Sequence, residues 1–341
     1  MKKHLIAAGV VAAFAAPAMA QNVSVYGIID MAYTYTDTDT SGGNSGLTDG
    51  NIATSRLGFR GSEDLGGGLK AEFQLEGKLQ TSYGEIGNKA SELGTATGNN
   101  VFDREAWVGL AGGFGAIRIG RTDITDIDNI DSKVSQAGNL GLIANSRAAD
   151  QAKSIRYTTP TFNGISAQIG YASPNTATTS GVVENTFGST ESLYVQYENG
   201  PLGIYAGYNK QKTNATLDEK ETTVGAKYNF GVASVGLVYS SRDNQQGTAT
   251  SYSAVAAGKD LDMYVLSVAV PLQQGFTLHG LYESQDLDGS DAQADAKFMT
   301  LAVTKALSKR TSLYAAFVNT DKDLSTEKDS KSYSVGITHS F

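Results

Sequence analysis

Apolar and polar residues alternate along almost the whole chain. In "LKAEFQLEG" (Leu69 to Gly77) every odd position is apolar or small, and Lys70, Glu72, Gln74 and Glu76 fill the even ones. A period of two marks a strand with two unlike faces. The same rhythm puts Val23, Val25, Ile29, Met31, Tyr33 and Tyr35 on one face and Ser24, Asp30 and Thr34 on the other. Leu57 and Phe59 oppose Arg56 and Arg60; Trp107 opposes Arg104; Ile117 and Ile119 oppose Arg118; Ile155 and Tyr157 oppose Ser154 and Arg156; Ile165 to Tyr171 oppose Ser166 and Gln168. Further runs, from "ESLYVQYENG" through "DMYVLSVAV" to "KSYSVGITHSF", carry the pattern to the last residue.

The links between these runs fall into two classes. Short ones are "EDLGGG", "AGGFG", "TFNG", "ENGP", "NFG", "PLQQG" and "LSKRT"; long polar ones occupy 37–54, 78–101, 121–153, 172–191, 209–221, 241–259, 284–295 and 319–331. Seven turns alternate strictly with eight loops, which makes fifteen connections and sixteen strands. A soluble sandwich has no reason to sort its links by length, whereas a barrel set in a membrane does. The pattern therefore predicts an all-β fold, a sixteen-stranded antiparallel transmembrane β-barrel. Its apolar faces meet lipid, and its charged faces line a water-filled lumen.

Aromatic positions agree with this. Tyr33, Tyr35, Tyr208, Tyr239, Tyr282 and Phe317 fall near the long-loop rim, and Tyr197, Tyr228, Phe230, Phe276 and Phe341 near the short-turn rim. Two belts of rings match two membrane interfaces. Tyr26, Tyr194, Tyr205 and Tyr314 are the inward exceptions.

Composition changes the picture in three ways. Residues 1–20 read as a cleaved export signal: Lys2, Lys3 and His4, then the apolar "LIAAGVVAAFAA", then Ala18-Met19-Ala20. The mature barrel is then 21–341, and losing Lys2 and Lys3 takes the formal net charge from −8 to −10. So acidic a chain has no footprint for nucleic acid. With no cysteine, an exported protein must hold together without disulfides, which favours a large hydrogen-bonded sheet over a small stapled domain.

Catalytic chemistry finds little to build on. The mature chain has two histidines, His279 and His339, neither with a serine and acid pattern around it. Without Cys or clustered His, no metal site and no cofactor is expected. A sugar-specific channel needs an aromatic path through the lumen, which four inward tyrosines do not make. A phosphate-selective channel needs a basic loop, and the third long loop is acidic. A purely adhesive surface protein would not need inward arginines.

At "VYGIIDMAY", "SRLGFRGSEDLGGGLKAEFQLE", "WVGLAGGFGAIRIGR", "LSKRT" and "YSVGITHSF" the chain resembles the general porins of Gram-negative bacteria, nearest to the β-proteobacterial type. The resemblance covers essentially all of the mature chain. It implies an outer-membrane homotrimer, bounded by outer-membrane lipid, whose protomers each pass ions and small hydrophilic solutes. It also implies that the third long loop folds inward. The family's wall arginines match Arg56, Arg104 and Arg156, and its opposing acidic side matches Asp123, Asp126, Asp128 and Asp131. Arg60, Lys70, Glu72 and Arg118 are further lumen charges by parity. Ile28 stands where some porins carry a basic residue, which weakens the basic side. The outward row Tyr333, Val335, Ile337, His339 and Phe341 resembles the signal read by the barrel-assembly machinery. Gly27 and Gly61 are small outward residues that would permit close contact between protomers.

Overall fold

The structure is a computed structural model that describes residues 23–39, 42–87, 101–124, 127–135, 138–139, 150–174, 188–212, 218–245, 259–287, 295–322 and 329–341. The export signal lies outside the described residues.

The strands are β1 (Ser24–Thr38), β2 (Gly42–Asp49), β3 (Arg56–Gly66), β4 (Leu69–Gln80), β5 (Glu85–Ile86), β6 (Glu105–Gly112), β7 (Gly115–Asp123), β8 (Asp150–Thr158), β9 (Ile165–Ala172), β10 (Thr190–Asn199), β11 (Leu202–Lys212), β12 (Asp218–Asn229), β13 (Ser234–Gln245), β14 (Lys259–Pro271), β15 (Phe276–Leu287), β16 (Ala296–Ala306), β17 (Thr311–Lys322) and β18 (Ser330–Ser340). A helix, α1 (Ile127–Val134), lies between β7 and β8. Each wall strand pairs antiparallel with its neighbours in chain order, and β18 returns to β1 from Ile28↔Ser340 to Thr38↔Ser330.

Eighteen strand segments make sixteen wall positions. β2 pairs the upper half of β1 (Met31↔Asp49) and β3 the lower half (Ile28↔Arg56), so the two are one wall strand interrupted at 50–55. β5 pairs only the tip of β4. The sheet has no open edge, which a barrel in lipid requires. Short and long links alternate around most of the ring as the sequence predicts, but the first, expected at 37–54, is only 39–41, because β2 continues the pairing of β1, and 213–217 between β11 and β12 is no longer than the short link between β8 and β9.

Burial follows the alternation. Outward apolar side chains such as Val108 (61% exposed) and Val335 (68%) have no protein cover. Each Val, Leu or Ile gains about 1.5–3 kcal/mol when taken out of water, so this surface calls for lipid. The last residue completes the ring: the Gly27 amide donates to the Phe341 carbonyl (3.2 Å) and the Phe341 amide to the Gly27 carbonyl (3.1 Å). A Cβ on Gly27 would lie 2.3 Å from the Phe341 ring, and one on Gly61 would lie 2.4 Å from the Phe73 ring. The space beside both glycines is thus filled by the chain's own aromatic rings.

The inner surface is uniform in neither polarity nor shape. The third long loop turns inward, and α1 lies against β11, β12 and β13. Ile130 and Val134 are fully buried with Tyr194, Tyr205, Val238, Met263, Val265 and Leu281. Gly225 and Gly236 make the seat: a Cβ there would fall 2.6 Å from Ile130 Cγ2 and 2.4 Å from the Val134 carbonyl oxygen. Ser267 Oγ donates to that same carbonyl at 2.9 Å. Part of the lumen wall is therefore a small core.

Candidate pore constriction

Arg56 is the first residue of β3, and Arg104 immediately precedes β6. β4 runs between them and contributes Glu76. Arg104 Nε donates to Glu76 Oε1 at 2.6 Å, and Arg56 Nη1 stands 3.9 Å from the same oxygen. Tyr26 on β1 donates its hydroxyl to Glu76 Oε2 at 2.8 Å. Register explains the reach: Tyr26 pairs with Gly58, and Gly58 with Glu76. A Cβ on Gly58 would sit 2.4 Å from the tyrosine ring, so the missing side chain lets the ring cross β3. One buried carboxylate thus holds two guanidiniums and a phenol against the inner wall, a charge-assisted arrangement stronger than neutral hydrogen bonds.

Arg156 does not join that group. It pairs in register with Arg118, whereas the Arg104 end of β6 lies beside Arg121 to Asp123 of β7. Its Nη1 donates to the Asp123 carbonyl at 2.5 Å, which places the start of the third loop. The three arginines therefore share a polar inner face, but only Arg56 and Arg104 form one cluster. Sequence parity carries no information on this, because strands in a barrel are staggered from one to the next.

On the loop, Asp123 ends β7 and Asp131 is buried on α1. Asp126 lies outside the described residues, as does the side chain of Asp128. Lower on the wall, Arg60 lies over the Tyr26 ring at 5.0 Å, and Lys70 and Glu72 share the face of Glu76 on β4. Arg118 lies over Trp107 at 4.1 Å.

Trp107 departs from its expected face. It is buried in the lumen under Arg118, while Val108 and Leu110 point outward. Arg104 precedes the strand, so counting parity from it shifts every assignment by one residue. Glu76, quoted above only as a polar-face residue, is the centre of the cluster. Asp30 is fully buried: its Oδ2 accepts the Ile52 and Ala53 amides (2.6 and 2.7 Å) and its Oδ1 the Tyr314 hydroxyl (2.6 Å). That carboxylate draws the break between β2 and β3 into the lumen. Higher on the far wall, Arg242 meets Glu221 at 2.8 Å and Glu219 at 3.5 Å. The sequence signal for those acids was their shared parity in "DEKETTVGAK".

A family model described as Gram-negative porin matches residues 7–340. The chain belongs to that family. This porin is 35% identical to outer membrane porin protein 32 of Delftia acidovorans, over 96% of this chain and 92% of that one. It is 28% identical to an outer membrane porin protein of Bordetella pertussis, over 99% and 98%. Among solved structures, an anion-selective porin from Comamonas acidovorans superposes with a TM-score of 0.74 at 29% identity, covering 94% of this chain and all (100%) of that one. An OmpF of Salmonella typhi, at 18% identity and a TM-score of 0.69, shares the fold. The protein is thus an outer-membrane channel of a Gram-negative bacterium, and its family consists of channels rather than enzymes.

Within the porin lumen, the arginine cluster and the α1 seat face each other. Counting wall positions around the ring, β4 lies diametrically across from β13.

Proposed function

We propose that this porin is a general diffusion channel for ions and small hydrophilic solutes, with its narrowest water between the wall arginines and the acidic third loop. Arg56 and Arg104, with Arg156 apart from them on β8, supply the positive side; Asp126, Asp128 and Asp131 of the loop supply the negative one, while Asp123, which ends β7 beside the arginines, belongs to their wall. The observation that carries this reading is the Glu76-held pair of guanidiniums, across the lumen from a loop seated on β11–β13. Opposed charges over a few ångströms of water make a strong transverse field. Polar solutes align in it, while apolar solutes must break ordered water. Charged rings of this kind also set ion preference. The anion-selective relative supports a lean toward anions.

The test is the reversal potential of the reconstituted channel in a salt gradient. Replacing Arg104 with Ala removes one positive charge and shortens a long side chain. One charge at about 4 Å in water is worth about 1 kcal/mol, so the anion-to-cation ratio should fall about fivefold, with a small rise in conductance. Unchanged values for both would refute the constriction. We further read the protein as a homotrimer exported through residues 1–20 and inserted by the barrel-assembly machinery through Phe341. Deleting Phe341 should lower outer-membrane levels and leave precursor in the periplasm; normal surface abundance would refute that.

A further inference from the structure

We propose that Ile124, seated on Gly170, is the positioning residue that fixes how far the third loop reaches into the channel, and with it the largest solute that passes. This rests on the reading of that loop as one side of the narrowest water.

The loop leaves the wall through an elbow built at the end of β7. The pairing of β7 with β8 shifts register between Gly120 and Thr122, and a bulge of this kind bends the strand that carries it. Gly120 has a φ of +142°, and a Cβ there would lie 2.3 Å from the Ala106 carbonyl oxygen, so the bend requires glycine. Fully buried Ser154 holds it, its Oγ donating to the Gly120 carbonyl at 2.9 Å. Beyond the bulge Asp123 is gripped by its backbone. Arg156 Nη1 donates to its carbonyl at 2.5 Å, and its amide reaches Glu105 Oε1 at 3.5 Å.

Ile124 then lands on the wall. It is fully buried, and it passes over β8 to rest on Gly170 of β9. A Cβ on Gly170 would fall 2.7 Å from Ile124 Cβ and 2.4 Å from Ser192 Oγ. In register, Gly170 pairs with Arg156 on one side and Ser192 on the other. The socket therefore has a glycine floor between two longer side chains.

Among the described residues the loop meets the wall at two places, and inward glycines make room for it at both. Gly170 lies under Ile124; Gly225 and Gly236 lie under Ile130 and Val134. Close-packed contacts of this kind resist compression, so a change of one methyl group is passed on as displacement. Gly170 lies behind the elbow, and an atom added there pushes the loop toward open water. Atoms removed from Ile124 let the loop settle back against β9. The two changes carry opposite signs, which impaired folding alone would not produce.

Exclusion of neutral polyethylene glycols of graded size from single channels measures the aperture without reading charge. Gly170→Ala should lower single-channel conductance and shift the exclusion limit toward smaller polymers. Ile124→Ala should raise conductance and shift the limit toward larger ones, while Ile124→Val, which keeps a branched side chain, recovers most of the parent value. Migration in unboiled detergent gels checks that each barrel is folded, and Ile124→Ala decides the matter by itself should Gly170→Ala fail to assemble. If Ile124→Ala keeps the parent limit, or if both substitutions move it the same way, the elbow does not set the aperture. The charged constriction is judged separately, by the reversal potential of Arg104→Ala. A polymer limit that moves as expected, with ion preference unmoved by Arg104→Ala, overturns the charged constriction and leaves the elbow standing.

Discussion

Two stretches of inner wall obey the same alternation and end in opposite states. On β3, β4 and β6 the inward positions carry Arg56, Glu76 and, just ahead of the strand, Arg104, joined by charge-assisted hydrogen bonds and partly open to the lumen. On β11 to β15 the inward positions carry Tyr205, Val238, Met263, Val265 and Leu281, closed under Ile130 and Val134. The difference is set by what lies against each wall. Water faces the first, so its side chains keep charge and must be positioned by one another. A helix covers the second, so its side chains pack as a core and position the helix.

The contrast is broken most severely from the core side. Gly236→Val inserts branched carbons where a single Cβ already comes within 2.6 Å of Val134 Cγ1. Overpacking of this kind costs about 1–3 kcal/mol, and here the movable partner is the loop. We expect α1 to leave its seat, seen as a higher single-channel conductance and new protease cleavage within the third loop, with the barrel intact.

On the charged wall the corresponding change is Glu76→Gln. It leaves Arg56 and Arg104 without their shared counter-charge. The reversal potential should move toward anions, by about the fivefold expected of one charge at close range in water, opposite in sign to Arg104→Ala. A shift toward cations would show that Glu76 does not balance these arginines.

The smallest effect belongs to the border between the two walls. Lys133 in the last turn of α1 reaches Glu198 at 3.3 Å, and Lys227 reaches the same oxygen at 3.7 Å. All three side chains are a third or more exposed, so the pair is worth at most about 1 kcal/mol. Lys133→Ala should therefore leave conductance and thermal unfolding close to the parent. A large loss would mean that α1 is held by charge rather than by its apolar seat.

Much of this was legible in the chain. The order of strands, the sorting of short and long links, the inward parity of Arg56, Arg60, Arg118 and Arg156, and the four inward tyrosines all follow from alternation. What alternation cannot give is register. The pairing of Arg156 with Arg118, and of Glu76 with residues on β3 and β6, depends on stagger between strands. The seat of α1 joins residues about a hundred positions apart. One signal for it was present: "GLVY" and "MYVL" on β13 and β14 are apolar on both parities, which a lumen filled only with water would not require. The reversed face of Trp107 came from a strand that starts one residue later than its pattern suggests.

The Asp30–Tyr314 bond bears on how the closed sheet comes apart. Tyr314 is on β17 and Asp30 on β1, with β18 between them. The tyrosine ring crosses β18 over Gly336, where a Cβ would lie 2.3 Å from Cζ. A single side chain therefore fastens the strand before the last to the first, beneath the line where the two ends of the chain meet. Hydrogen exchange should accordingly begin elsewhere, at the β8–β9 ladder, which holds only the pairs from Ser154↔Ala172 to Thr158↔Gln168. The meeting of the chain ends, the obvious weak line of a closed sheet, becomes one of its last to open.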